Sequence, residues 1–264
     1  MSPRSGSSHR RLAAAVLVAA LLPAAGALAA PPTPGAPSTR PAPSPTVDEI
    51  VGRYVVARGG IQKLRALRTL RQEGRVSAGA GRNGLVTREI KRPGKIRFEF
   101  TVQGVTSVFA SDGQHGWKVS PLEGETGPQP LPDEVLIDAR EQADIDGPLV
   151  DWKSKGSQVE LVGREAVDSH DAFKLKLTLK SGGVLTAYVD VKSASLVRTE
   201  AIRQIRGKQV RIETTFGDFR RTGGILFPHL VEVRAAGRPQ LLRVVVDKVE
   251  VNPPLSDARF APPA

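Results

Sequence analysis

A strongly curved antiparallel β-sheet with a few α-helices over its open side is the fold class this sequence predicts. Three observations predict it. Apolar residues fall at every second position in segments such as Lys95–Val102 and Phe173–Lys180. Short turn signals, not helices, separate most of these segments. A single long stretch with helical spacing opens the folded part.

That stretch is Val47–Arg58, with Val47, Ile50, Val51, Tyr54, Val55 and Arg58 on one face. Thr46 is the expected N-cap, and Glu49 three residues on completes a capping box. Gly59-Gly60 ends the helix, and a second, shorter helix is predicted over Ile61–Leu70. Beyond Leu70 the period switches toward two. Ile96, Phe98, Phe100 and Val102 share one face of a half-buried strand, and Phe173, Leu175, Leu177 and Leu179 share one face of another. Val210, Ile212, Thr214 and Phe216 repeat the pattern more weakly. Near the end Leu241, Val245, Val249 and Val251 share one parity while Val244 and Val246 take the other, as in a strand buried on both faces. Gly79–Gly84, Asp112-Gly113, Gly182-Gly183 and Gly223-Gly224 are the turn signals. One helical interruption is predicted over Pro132–Ala143, continued by Asp144–Leu149, with a short helix or turn over Leu149–Trp152.

The N-terminus predicts export. Arg4, His9, Arg10 and Arg11 form a basic region without an acid, an apolar run follows from Leu12 to about Ala25, and Ala27-Leu28-Ala29 has the small-x-small form of a cleavage site. The run is shorter than the roughly 20 residues a spanning helix needs. Residues 1–29 are therefore read as a signal peptide cut after Ala29. Residues 30–46 are a proline-rich, disordered tether, because proline this dense favours solvated, extended backbone. Residues 47–264 form a single domain. The chain has no cysteine. The fold must rest on its own core, no thiol follows the signal to carry a lipid anchor, and a soluble periplasmic protein is expected.

The formal charge is +11. A basic surface can attract nucleic acid, but here arginines are scattered over separate segments and aromatic residues make up only 5%. Stacking platforms are thus scarce, and a nucleic-acid partner is not expected. His9, His115, His170 and His229 have no metal-ligand spacing. No Gly-x-Ser-x-Gly elbow is present. Glu123-x-Glu125 and Asp144-x-Asp146 read as solvated loop carboxylates, and Asp144–Gly147 lacks the distal glutamate of a calcium loop. Gly79-x-Gly81 leads into a strand, the wrong context for a phosphate loop. No catalytic residue, cofactor site or metal site is assigned. What remains is apolar: a curved sheet offering Ile, Phe, Leu and Val inward could hold an acyl chain.

Several strings in order resemble a known family. They are Val47–Ile50 through Ala57-Arg58-Gly59-Gly60, then Lys63-Leu64 and Leu70–Val76. Asp112-Gly113 with Gly116-Trp117 follows, then Gly223–Pro228, and finally Val249–Leu255 with Phe260–Pro263. Together they resemble the LolA-like, outer-membrane lipoprotein-sorting group. The resemblance implies a half-open antiparallel β-barrel with a helical lid, in the periplasm of a double-membraned bacterium. It implies a protein that binds lipid or acyl chains, with carriage of a lipidated protein as its specific form. A non-enzymatic sensor or scaffold that binds a membrane-bound envelope protein is the alternative. Ile96, Phe98, Phe100, Val102, Phe173, Leu175, Leu177 and Leu179 are the expected lining of the apolar cavity. The oligomeric state and the cargo stay open.

Overall fold

The computed structural model describes residues 44–79, 82–121, 124–205, 207–237 and 241–263. The expected signal peptide, and the tether as far as residue 43, lie outside the described residues. Helix α1 spans Val47–Arg58 as the spacing predicts. Its capping box is formed: the Thr46 backbone N–H donates to Glu49 Oε2 at 2.7 Å, and the Glu49 N–H donates back to Thr46 Oγ1 at 3.3 Å. Helix α2 is shorter than expected, Ile61–Ala66. Asn252 is the reason. Its side-chain oxygen accepts the backbone N–H groups of Arg68 at 2.6 Å and Thr69 at 3.3 Å. That draws the chain out of the helix and into the first strand.

The strands are β1 (Thr69–Ala78), β2 (Arg82–Lys91), β3 (Lys95–Val102), β4 (Val105–Ser111), β5 (Gly116–Ser120) and β6 (Glu125–Pro130), then helix α3 (Asp133–Gln142). β7 (Gln158–Val167), β8 (His170–Thr178), β9 (Val184–Asp190), β10 (Leu196–Ile205), β11 (Lys208–Thr222), β12 (Ile225–Ala235) and β13 (Leu242–Val251) follow. All thirteen join one antiparallel sheet in the order β6-β5-β4-β3-β2-β1-β13-β12-β11-β10-β9-β8-β7. β6 and β7 are its edges, so the sheet is curved but unclosed, a half-open barrel. The segment after α3 does not extend that helix: residues 144–156 are turns, apart from short unstructured links.

The inner face is defined by its packing on α1. Ile50, Val51 and Tyr54 meet Leu64 and Leu67, and around them lie Ile90, Ile96, Leu149, Val150, Phe173, Leu175, Leu177, Ala187, Ile225 and Phe227. Water exclusion from this face is what fixes strand register.

β13 corrects the expected parity. Between Glu73↔Lys248 and Gly74↔Val246 the register shifts by one, leaving Asp247 as a bulge. Val244 and Val246 therefore fall on the same inner face as Val249 and Val251. A strand that read as buried on both sides is buried on one, with its alternation reset. Gly74 makes the bulge possible, because a Cβ there would stand 2.2 Å from the Val245 carbonyl oxygen.

On the convex face the C-terminal segment acts as a strap. Phe260 is wholly buried, and its carbonyl accepts the Trp117 indole N–H at 2.9 Å. Arg259 reaches the buried Glu89 at 2.6 Å.

Candidate functional site

The inner face has a packed end and an open end. Ile96, Phe173, Leu175 and Leu177 belong to the packed core, and Phe98 and Leu179 lie against its edge. Phe100 and Val102 stand beyond it, partly buried, farther along β3. The structure thus brings six of the eight expected residues to one core and leaves two outside it. The open end is aromatic. Phe98 and Phe100 stack at 6.1 Å, and Phe109, which faces Phe98 across β3–β4, meets Phe100 edge-on at 6.2 Å. An open groove of about 930 Å³ lies elsewhere, between Thr46, the α1 residues Arg53 and Val56, and Lys192.

Helix α3 covers this end, against β3 and β4. It is held in an unusual way for a helix, since none of its residues is buried. Half-buried Ala139 packs against the core, and polar clips add to that hold. Arg140 Nη2 donates to the Gln114 carbonyl at 2.8 Å, in the β4–β5 turn. Arg203 on β10 pairs with Asp138 at 3.1 Å and Glu141 at 2.6 Å. Ser181, in the β8–β9 turn, donates to Glu141 at 3.2 Å. Burial pushes the Asp138 carboxyl above its ordinary range, with Arg203 opposing.

These clips measure the curvature. β4 and β10 are seven places apart in the strand order. In a flat sheet that is about 34 Å, against about 15 Å for a ten-residue helix. Only a sheet curled around α3 lets its side chains reach both.

The loop after α3 is pinned by charge. Asp146 is buried and meets Arg92 at 2.6 Å, while Arg92 Nε donates to the Leu67 carbonyl at 2.7 Å. Arg58 also donates to the Asp146 carbonyl. Asp144 pairs with Lys155 at 2.6 Å, and burial raises its carboxyl despite that lysine. The Asp144-x-Asp146 pair is therefore not a solvated loop feature, as the sequence suggested, but the anchor of the loop that carries α3. Two aspartates either side of Ile145 gave no signal of their partners, which lie as far back as Arg58 and Arg92.

His170 Nδ1 lies 3.0 Å from Asp190 Oδ2. His229 is buried, with Nδ1 donating to the Val246 carbonyl at 2.7 Å and Nε2 enclosed without a partner. Among the described residues no group of three His, Cys, Asp or Glu could hold a metal, and no helix is long and apolar enough to cross a membrane.

No protein-family model matches this chain, and no curated protein does. Solved structures do match. A DUF1329 family protein from Desulfovibrio piger superposes with a TM-score of 0.57 at 15% identity, covering 81% of this chain and 97% of its own. A LolA superfamily protein from Nitrosomonas europaea gives 0.53 at 13% identity, covering 83% and 98%. A domain from Vibrio parahaemolyticus, named for outer membrane lipoprotein sorting, gives 0.53 at 9% identity, covering 80% and 94%. The fold is LolA-like. Helix α3 lies against the aromatic end of β3 and β4.

Proposed function

We propose that this LolA-like protein binds acyl chains on the inner face of its sheet, as a periplasmic lipid or lipoprotein carrier. One observation supports it most. The aromatic surface of Phe98, Phe100 and Phe109 is only partly buried, and the helix that covers it buries no residue of its own. A core helix would contribute a buried stripe. A cover held by polar clips and only half-buried apolar residues can lift at less cost in apolar burial than a core helix. Each acyl CH₂ taken from water then contributes about 0.8 kcal/mol. Ten such groups give about 8 kcal/mol before the costs of association.

Leu175 and Leu177 are already filled against α1, so the binding surface is the outer part of the expected lining: Phe98, Phe100, Val102 and Leu179. Cleavage after Ala29 and delivery to the periplasm complete the reading. They rest on the basic region and the small-x-small site, and N-terminal sequencing starting at Ala30 is the expected result. Native mass spectrometry of protein recovered from its own periplasm tests the function. Co-purifying lipid or a lipidated protein is expected. A stoichiometric protein partner with no lipid would replace carriage by a scaffold role.

A further inference from the structure

Arg88 lies on the inner strand face of β2, directly across from Phe98 on β3 and Gln72 on β1. Its guanidinium sits 5.8 Å from the Phe98 ring centroid. It donates to Gln72 Oε1 at 3.2 Å and to the Gln142 carbonyl at 2.8 Å, and its Nε is enclosed with no partner. Among the described residues no carboxylate comes within ion-pair reach of it. The surrounding cations differ. Arg203, across α3, holds two acids, and Lys118, opposite Phe109, pairs with Glu125 at 2.7 Å. Burial alone pushes the Arg88 guanidinium down to about 10, with no acid to restore it.

A half-buried guanidinium with an enclosed, unpartnered Nε and no counter-ion gains where an anion arrives. Its present partner already has the right sign. The Gln142 carbonyl ends α3, where the helix gathers partial negative charge.

We propose that Arg88 is the head-group site of the acyl-binding face, taking the carboxylate or phosphate of an anionic amphiphile whose chain lies along Phe98, Phe100 and Phe109. This deepens the acyl-binding reading and rests on it. The planar guanidinium can hold either oxyanion through two parallel hydrogen bonds. The incoming anion replaces the Gln142 carbonyl, so occupancy releases the C-terminal end of α3. Cargo and lid are then coupled through one side chain.

The test compares three ligands on the delipidated protein: palmitate, palmitoyl lysophosphatidate and methyl palmitate. Both anions are expected to bind about tenfold or more tighter than the ester. Arg88→Gln removes the preference for the anions over the ester, whatever the absolute affinity for the ester becomes, while Arg88→Lys restores part of it. The ratio between the two anions names the head group. Circular dichroism confirms that each variant is folded. A second readout needs no variant: palmitate, but not the ester, increases amide exchange at residues 139–143. Equal binding of palmitate and its ester, or a preference that survives in folded Arg88→Gln, overturns the head-group site and leaves acyl binding standing. Failure of all three ligands to bind overturns acyl binding itself, and the head-group site with it.

Discussion

Arg203 of β10 and Asp138 of α3 meet at 3.1 Å, and the same guanidinium reaches Glu141 at 2.6 Å. The contact joins α3 to the far half of the sheet. Arg140 and Arg88 join it to the near half. No residue of α3 is fully buried, so on the proposed reading these polar contacts and the half-buried Ala139 together set how often α3 lifts.

Arg203→Met should therefore loosen α3 without unfolding the sheet. It leaves two partly buried carboxylates short of a partner, a loss of about 1–3 kcal/mol in the opening equilibrium. Hydrogen exchange is the measurement. Amides of residues 133–142 should exchange faster by roughly tenfold or more, while those of β8 and β9 stay protected. Unchanged exchange in α3 would mean that apolar contacts hold it.

Asp138 gives the lid a pH dependence with a definite sign. Burial raises its carboxyl in the closed state, with Arg203 opposing and Glu141 and Glu134 adding to the rise. In an open lid the group returns toward the ordinary aspartate value of about 3.9. The closed state thus binds the proton more tightly, and acidification favours closure. Protection factors of residues 133–142 should rise as pH falls from neutral toward the raised value of this carboxyl, and Asp138→Asn should flatten that rise. The opposite sign holds for Asp190. Burial would raise its carboxyl, but hydrogen bonds from Ser193 and the neighbouring His170 outweigh this and hold it low. Its stabilising contribution is present above the ordinary aspartate range and is lost as pH falls through its lowered value.

The strand faces were legible in the sequence because β3 and β8 alternate strictly, and the capped first helix was legible because Thr46 and Glu49 sit three apart. Two features were not. The bulge at Asp247 depends on a glycine in another strand, Gly74, so no local pattern in β13 announces it. Arg88 also reads as one more polar residue between Thr87 and Glu89. What sets it apart is the absence of a nearby acid on the inner face, and that depends on which strands become neighbours. The expected lining is split between a packed core and an open end. Its inner residues, Leu175 and Leu177, are packed by α1 and α2, whose approach the strand pattern does not encode.

Gly74→Ala tests the bulge. The added Cβ would meet the Val245 carbonyl oxygen at 2.2 Å and the Val246 Cα at 3.0 Å, both backbone atoms that cannot turn aside. β1 and β13 must separate or lose their register there. A loss of about 3 kcal/mol or more is expected in urea unfolding. As a control, Gly127→Ala lies on β6, where nothing stands within 4 Å, and should change little. Equal effects at the two positions would show that the bulge tolerates a side chain.

Substitutions at Leu177 and Phe98 separate fold from binding. Leu177 is wholly buried in the core under α1. Leu177→Glu buries a charge with no partner and should cost about 4 kcal/mol or more, enough to unfold much of the population. Leu177→Ala should cost about 2–5 kcal/mol, with acyl binding intact in the molecules that stay folded. Phe98 differs because it lies at the edge of the core and faces Arg88 across the strand pair. Phe98→Glu should fold, since the introduced carboxylate meets the guanidinium that lacks one. It should also abolish binding of a fluorescent fatty-acyl probe, by removing an aromatic wall and by occupying the cation. Phe98→Ala removes only the wall, so it should weaken the probe while keeping the preference for an anionic head group. Circular dichroism and probe titration on the four variants decide the matter. Probe binding that survives in a folded Phe98→Glu protein would place the acyl site away from β3.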